Sequence, residues 1–156
     1  HASGFTPTDA GLIPTGEILP VEGTPLDFRT PHAIGERIGQ TDYEPLAFGN
    51  GYDHNWVLDK PEAGTVSLAA EAYEPATGIR MKIYTDQQGL QFYAGQGMDG
   101  KEVGKRGDRH NFRSGIALET QNFPDAPNHD NFPSSVLRPG ETYTQHTVYA
   151  FETDEQ

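Results

Sequence analysis

The sequence predicts an all-β fold, an antiparallel β-sandwich with at most one or two short helices. First, the 18 Gly and 12 Pro among 156 residues disfavour long helices and favour turns. Second, apolar residues recur mostly at every second position, which is the period of a half-buried strand. Third, turn clusters such as those at 75–78, 87–89 and 138–140 separate these segments.

Seven segments have the composition or the alternation of strands. In chain order they are 16–21, 54–58, 65–72, 80–85, 90–94, 115–119 and 142–151. In the segment 90–94, Leu90, Phe92 and Ala94 share one face, while Gln91 and Tyr93 share the other. In the segment 65–72 the predicted apolar face consists of Val66, Leu68, Ala70 and Ala72. Several short strands at this spacing are typical of a sandwich or barrel.

The remaining segments complete the domain prediction. One short helix is predicted after Thr30, with Thr30 as its N-cap and Pro31 in its first turn. The polar, glycine-rich segment 95–110 is predicted to be an exposed loop. With no internal linker in view, we expect a single β-sandwich domain over 1–151 and an acidic tail over 152–156.

Charge and composition exclude several classes of function. The net charge of −12 disfavours nucleic acid and anionic membrane surfaces as partners. No segment approaches the ~20 apolar residues of a membrane-spanning helix. The chain contains no cysteine, so disulfides and thiolate metal sites are absent. It begins without Met and without the features of a signal peptide, so we expect a processed product or a fragment.

Three familiar motifs are absent or incomplete. Residues 95–100 match the dinucleotide fingerprint G-x-G-x-x-G, but the segment after them has no apolar helical face. The six histidines include no H-x-x-x-H pair, which disfavours a metal site built by the protein. None of the five serines lies in a G-x-S-x-G elbow. We therefore expect no bound nucleotide, no metal and no serine nucleophile.

Two polar segments remain as candidate sites. Residues 51–56 combine Asp53, His54 and Asn55 with two aromatics, the mixture that carbohydrate sites use, although a turn that opens a strand explains the same residues. In the second segment Glu119 ends an apolar strand and is followed by Gln, Asn and Pro, which fits either the rim of a site or a surface glutamate. Gln91 lies on the polar face of its strand, where exposure alone would also explain it.

Together, these segments resemble the aldose 1-epimerase (galactose mutarotase) family, in the order in which its C-terminal half carries them. The resembling segments are 12–18 (LIPTGEI), 23–29 (GTPLDFR), 51–55 (GYDHN), 89–93 (GLQFY), 118–121 (LETQ), 123–128 (FPDAPN), 132–133 (FP) and 137–141 (LRPGE). The resemblance covers nearly the whole chain and implies the C-terminal portion of a galactose mutarotase-like supersandwich.

The resemblance implies an isomerase that interconverts the α and β anomers of free aldoses such as galactose and glucose. It implies Glu119 as the general base, Asp53 as a ligand of sugar hydroxyls, and Gln91 as a further site residue. No cofactor or metal is implied. A histidine acid would protonate the ring oxygen, so the rate should have a bell-shaped pH profile.

The resemblance also implies that the acid is missing from this chain. The family's acid histidine and further sugar ligands lie in an N-terminal half, and none of the following matches that position: His1, His54, His110, His129 and His146. We expect the missing half in the same protein or in a second chain. The alternatives are a non-catalytic carbohydrate-binding half and a structural half-domain. The family's usual location implies the cytoplasm and leaves secretion open.

Overall fold

Eight β-strands carry the fold in the computed structural model, which describes residues 1–154. They are β1 (Ala2–Thr6), β2 (Leu19–Pro20), β3 (Asp53–Leu58), β4 (Ser67–Glu74), β5 (Ile79–Thr85), β6 (Gly89–Tyr93), β7 (Ala117–Gln121) and β8 (Thr147–Thr153). Two short helices, α1 (Ile34–Arg37) and α2 (Glu44–Gly49), and a single 3₁₀ turn (Ala126–Asn128) complete the described elements.

The strands form two antiparallel sheets. One sheet has five strands in the order β2-β1-β3-β6-β7, and the other has three in the order β4-β5-β8. Contacts between β7 and β8 join them: the Tyr149 hydroxyl donates to the Leu118 carbonyl at 2.8 Å, and the hydroxyl oxygens of Thr120 and Thr147 lie 2.7 Å apart. The predicted all-β, antiparallel sandwich is confirmed.

Each of the seven predicted segments overlaps an observed strand, and the differences have local causes. β1 was not predicted, because its sequence, ASGFT, carries only one large apolar residue. In β4 the predicted apolar face holds only in part: Ala70 packs against the main core, but Val66 is exposed. A register shift between Leu68 and Ala70 changes the alternation, so Ala69, at 2% exposure, is the buried residue. Such bulges cannot be inferred from spacing alone.

The predicted helix is present but shorter than expected. α1 begins after Ala33, so Thr30 is not its N-cap. α2 was not predicted, because its six residues include a proline and a glycine. The proline stands at the start of the helix, where its missing N–H costs nothing, and Asn50 ends the helix in the left-handed conformation.

The expected acidic tail divides between strand and undescribed residues. Glu152 and Thr153 pair with Arg80 and Ile79 as the end of β8. Residues 155 and 156 lie outside the described residues. The domain boundary at 151 stays a prediction.

The main core lies on one face of the five-stranded sheet. Alternate side chains of β3 and β6 point into it, with Trp56 at 7% and Phe92 at 8% exposure. Tyr52 stacks on Phe92 with ring centroids 5.3 Å apart, and the Trp56 indole donates to the Leu26 carbonyl at 3.1 Å. The fully buried Leu46 of α2 belongs to the same cluster. Aromatic burial therefore anchors this face.

A second, smaller core lies on the opposite face of the same sheet. Phe123, Ala126 and Phe132 are buried together and pack against Val57 of β3. The rings of Phe123 and Phe132 meet edge to face, with centroids 5.3 Å apart. The segment after β7 thus folds back over one end of the sheet, and the rest of that face stays uncovered for the site.

Candidate active site

A row of polar side chains crosses four strands on the face opposite the main core. Thr6 of β1 pairs with Asn55 of β3, Asn55 pairs with Gln91 of β6, and Gln91 pairs with Glu119 of β7. Because side chains two residues apart share a face, Asp53 and Tyr93 extend this surface. A cleft of about 520 Å³ lies over it; its walls and floor include Thr6, Asp53, Asn55, Gln91, Tyr93, Glu119 and Gln121.

Gln91 links the carboxylate of Asp53 to the rest of the floor. Its Nε2 donates to Oδ1 of Asp53 at 2.8 Å. Its Oε1 faces Nε2 of Gln121 at 3.4 Å. Among the hydrogen bonds of the described residues, none reaches Oδ2 of Asp53. The amide therefore orients the carboxylate and leaves one oxygen available to a ligand.

Glu119 stands at the β7 side of the cleft, one strand away from Gln91. Directly opposite residues of paired strands have Cβ atoms about 5 Å apart. The Glu119 side chain is exposed, and within residues 1–154 it makes no hydrogen bond or ion pair. The structure therefore brings Asp53, Gln91 and Glu119 into one cleft, in which the Glu119 carboxylate has no partner among residues 1–154.

His54 is fully buried, and both of its ring nitrogens are engaged. Nε2 lies 3.1 Å from the carbonyl oxygen of Pro45, so it carries the hydrogen and donates. Nδ1 accepts the backbone N–H of Asp53 at 3.1 Å. Burial lowers the pKa of His54, which keeps the ring neutral near pH 7. This histidine supports the backbone that presents Asp53.

The walls of the cleft come from two segments that leave the sheet at different strands. Residues 8–14 follow β1, and residues 124–131 follow β7, with β3 and β6 lying between these two strands. His129 Nε2 donates to the Pro14 carbonyl at 3.2 Å, and Asn131 Nδ2 donates to the Gly16 carbonyl at 2.9 Å. These two hydrogen bonds hold the two segments together beside the polar floor.

Strand alternation divides the carbohydrate-like segment 51–56 between the two faces. Asp53 and Asn55 line the cleft, and the predicted turn before them is present, with Asn50 in the left-handed conformation. Tyr52 and Trp56 are buried in the main core. The two aromatics are therefore not a sugar platform, which corrects that part of the expectation.

Sequence reasoning did not single out Tyr93 or Gln121 as site residues, and it named Asn55 only as part of the segment 51–56. Tyr93 is the aromatic side chain among the residues of the cleft, and Asn55, at 2% exposure, lies in its centre with Gln121. The alternation of β6, which places Tyr93 beside Gln91, could have indicated Tyr93. Asn55 required knowledge of which face of β3 is covered.

Three further observations apply to residues 1–154. No helix follows the G-x-G-x-x-G match, and residues 101–110 form an exposed loop with a bridge between Val103 and Arg109. No group of three or more His, Asp or Glu side chains in this range is arranged to hold a metal ion. No helix in this range has the length and apolarity needed to cross a bilayer.

The chain is similar to known proteins in sequence and in fold. The sequence profile of the aldose 1-epimerase family matches residues 1–150. Galactose mutarotases from Rattus norvegicus and Homo sapiens are each 41% identical, over 96% and 97% of this chain. The aldose 1-epimerase of Escherichia coli is 34% identical over 96% of the chain.

A solved structure of a GalM/aldose epimerase homologue from C. elegans superimposes with a TM-score of 0.80 and 28% identity, over 97% of this chain and 44% of that one. The chain spans 42% of the length of the rat and human relatives. Profile, identity and fold agree over almost all of the described residues. The chain belongs to the aldose 1-epimerase family.

Proposed function

We propose that this chain supplies the general base and the sugar-binding floor of an aldose 1-epimerase, which interconverts the α and β anomers of a free aldose of the galactose or glucose type. The observation that carries the proposal is the convergence of Asp53, Gln91 and Glu119 on one open cleft of about 520 Å³. Relatives named galactose mutarotase and aldose 1-epimerase support the reaction class.

The proposed reaction begins with proton transfer at the anomeric centre. The Glu119 carboxylate takes the proton of the anomeric hydroxyl while an acid protonates the ring oxygen. The bond between C1 and the ring oxygen breaks, and C1 becomes an aldehyde. Rotation about C1–C2 presents the other carbonyl face, the hydroxyl re-attacks, and both protons return. General acid–base catalysis of this kind contributes about 10²–10⁴-fold.

Asp53 and Gln91 would hold the sugar for this step. The oxygen of Asp53 that Gln91 leaves free can accept from a sugar hydroxyl. Charge-assisted bonds of this kind are stronger than neutral ones. The open side chain of Glu119 can approach an anomeric oxygen next to these hydroxyls, because it stands in the adjacent cross-strand position. Ground-state binding and proton transfer thus fall to different side chains.

The acid in this proposal is a histidine from an N-terminal half, in the same protein or in a second chain. The relatives are more than twice as long as the matched segment, which leaves room for such a half. His54 borders the cleft through its position on β3, but its ring is fully buried and its nitrogens are held by Pro45 and Asp53. It therefore has no free N–H to give to a ring oxygen.

That engagement of His54 also favours a second candidate function for the chain by itself. A floor that carries a base and hydroxyl ligands, but no histidine with a free N–H, can bind an aldose without converting it. Sugar binding without turnover is thus the alternative, and a purely structural role is the outcome if neither is found.

Polarimetry on freshly dissolved α-D-galactose and α-D-glucose tests the proposal, with the spontaneous rate in buffer subtracted. The assay uses the natural full-length protein and, separately, the 156-residue chain. Glu119→Gln keeps the size of the side chain and removes the base, so we expect the enzymatic rate to fall by about 10²-fold or more. Glu71→Gln is the control, the same isosteric change at an exposed glutamate that pairs with Arg80 on the other sheet.

The outcomes separate the candidates. An unchanged rate in Glu119→Gln, with Glu71→Gln also unchanged, would remove Glu119 as the base. If full-length protein and chain alike fail to accelerate mutarotation, while NMR titration shows galactose shifting the signals of Gln91 and Tyr93, the binding function is favoured. Fluorescence of Trp56 is a poor reporter, because the indole lies in the core on the other face of the sheet.

A further inference from the structure

The tip of the segment after β1 carries a leucine in an unusual backbone conformation. Leu12 has φ +63°, in the left-handed region that favours glycine or asparagine. Its side chain is 41% exposed and lines the same cleft as Asp53 and Glu119. Nothing in the backbone of this turn favours a branched apolar residue, so a reason for leucine must be sought outside the turn.

Asp9 holds this conformation in place. Its Oδ1 accepts the N–H groups of Gly11 at 2.8 Å and Ile13 at 3.1 Å. The N–H of Leu12 donates to the Asp9 carbonyl at 3.0 Å, and the Asp9 N–H donates to the Ile13 carbonyl at 2.9 Å. The turn is therefore fixed by four hydrogen bonds, and a bridge between Thr8 and Pro14 closes its base.

The far side of the turn is anchored as well. His129 donates to the carbonyl of Pro14, so the segment after β7 holds the turn beside the floor. Gly16 allows this approach, since a Cβ there would lie 2.6 Å from His129 Nδ1. Leu12 thus lies in a turn that hydrogen bonds hold in place on both sides.

The chemistry of the cleft is complementary to two different surfaces of a sugar. The floor offers carboxylates and amides, which suit hydroxyl groups at the ring edge. The ring faces of a pyranose carry C–H groups, which gain from contact with an apolar side chain. Leu12 and its neighbour Pro14 are the apolar residues of the wall on the β1 side.

We propose that Leu12 is a substrate-contacting residue, whose side chain packs against the C–H face of the aldose held by the floor. The proposal rests on the function proposed above and adds a contact that the general base does not provide. A contact of this kind stabilises the bound sugar and its ring-opening transition state alike, so it acts on KM and leaves kcat nearly unchanged.

Two substitutions separate the side chain from the backbone. Leu12→Ala removes most of the side chain and keeps the strained conformation. Leu12→Gly removes the side chain and also relieves the strain. In the natural full-length protein we expect KM for D-galactose to rise roughly tenfold in both variants, with kcat within twofold of the parent. Leu137→Ala is the control, a leucine with 55% exposure that is not among the cleft residues, and its KM should not change.

Thermal unfolding checks that the fold survives, and Leu12→Gly is expected to melt no lower than Leu12→Ala. An unchanged KM in both variants would overturn the proposal. A rise in Leu12→Gly alone would overturn it too, because loosening of the turn and not loss of the contact would then be the cause.

A leucine-methyl NMR titration keeps this test apart from the proposed function. The Leu12 methyl signals are identified by their absence from Leu12→Ala, and D-galactose is then added to the parent protein. A selective shift of these signals supports the contact even when polarimetry shows no turnover. If the floor residues respond to galactose and the Leu12 methyls do not, the contact is refuted while sugar binding stands.

Discussion

The two faces of the five-stranded sheet consist of alternate residues of the same strands, yet their physical roles differ. On β6, Leu90 and Phe92 point into the main core, and Gln91 and Tyr93 point into the cleft. On β3, Trp56 faces the core and Asn55 faces the cleft. One strand can therefore contribute both core residues and site residues, because successive side chains point to opposite faces of the sheet.

The two faces also differ in how completely their groups are satisfied. On the core face the rings of Tyr52 and Phe92 are stacked, and the Trp56 indole donates to the Leu26 carbonyl. On the cleft face Glu119 and one oxygen of Asp53 have no partner among residues 1–154. Satisfied groups stabilise the fold, and unsatisfied ones are available to a ligand.

Adjacent positions on β6 give the largest expected contrast. Phe92→Ala should lower the free energy of unfolding by about 3–5 kcal/mol, because it empties the stack with Tyr52 in the main core. Gln91→Ala should lower it by only about 1 kcal/mol, through the lost bond to Asp53. Urea denaturation of both variants measures the difference. Equal losses of unfolding free energy would contradict the conclusion that the core face contributes more to stability than the cleft face.

A smaller effect is expected where the cleft floor is itself tightly packed. A Cβ at Gly89 would collide with Oδ1 of Asn55 and lie 3.1 Å from both the Gln121 carbonyl oxygen and the Phe123 ring. Gly89→Ala should therefore cost about 1–3 kcal/mol of stability and displace the floor. Gly64→Ala is a poor match, because Gly64 has a positive φ; Gly35→Ala, with open space around it, is the suitable control.

Denaturation of both glycine variants, with mutarotase rates where activity is found, checks this expectation. We expect the Gly89 variant to lose activity beyond its loss of stability. Were Gly89→Ala as stable and as active as Gly35→Ala, the floor around Asn55 would be looser than the structure indicates.

The smallest expected effect is the pH dependence that His54 adds. Burial lowers the folded-state pKa of this ring below its ordinary value of 6.5, so the unfolded chain binds the proton more readily. Its contribution to stability is present above pH 6.5 and is lost as the pH falls from 6.5 toward the folded-state pKa. His54→Gln should reduce this acid-side loss, although it lowers stability at all pH values.

Unfolding free energies measured from pH 8 to pH 5 test that sign. If the parent and His54→Gln lose stability in parallel over this interval, His54 does not titrate on unfolding in the way its burial implies. Such a result would also weaken the view that the ring stays neutral beneath Asp53.

Local sequence was sufficient for the class of fold, since period-two alternation and turn residues depend on neighbours only. It placed Phe92 and Gln91 on opposite faces correctly. It failed at Val66 and Ala69, because a register shift in β4 is decided by the partner strand. It also failed at Thr30, because the N-cap position of α1 falls at Ala33, three residues later.

The candidate site depended more strongly on long-range pairing. The resemblance to the aldose 1-epimerases named Asp53, Gln91 and Glu119, and their residue types already fitted a sugar. These residues lie close together, however, because β3, β6 and β7 pair in a register that joins positions far apart in the chain. The local pattern could not tell that Trp56 turns away from the cleft or that Leu12 stands beside it.

By itself, the sequence determined the all-β class, the acidic charge and the family. Each of these depends on composition, on the local alternation of apolar and polar residues, or on the order of motifs along the chain. Only the tertiary structure decided which face of the sheet is buried and which polar groups stay unpaired. The physical reason is that burial is a property of packed layers: a strand's alternation defines two faces, and the chain that folds over one of them determines which one remains open.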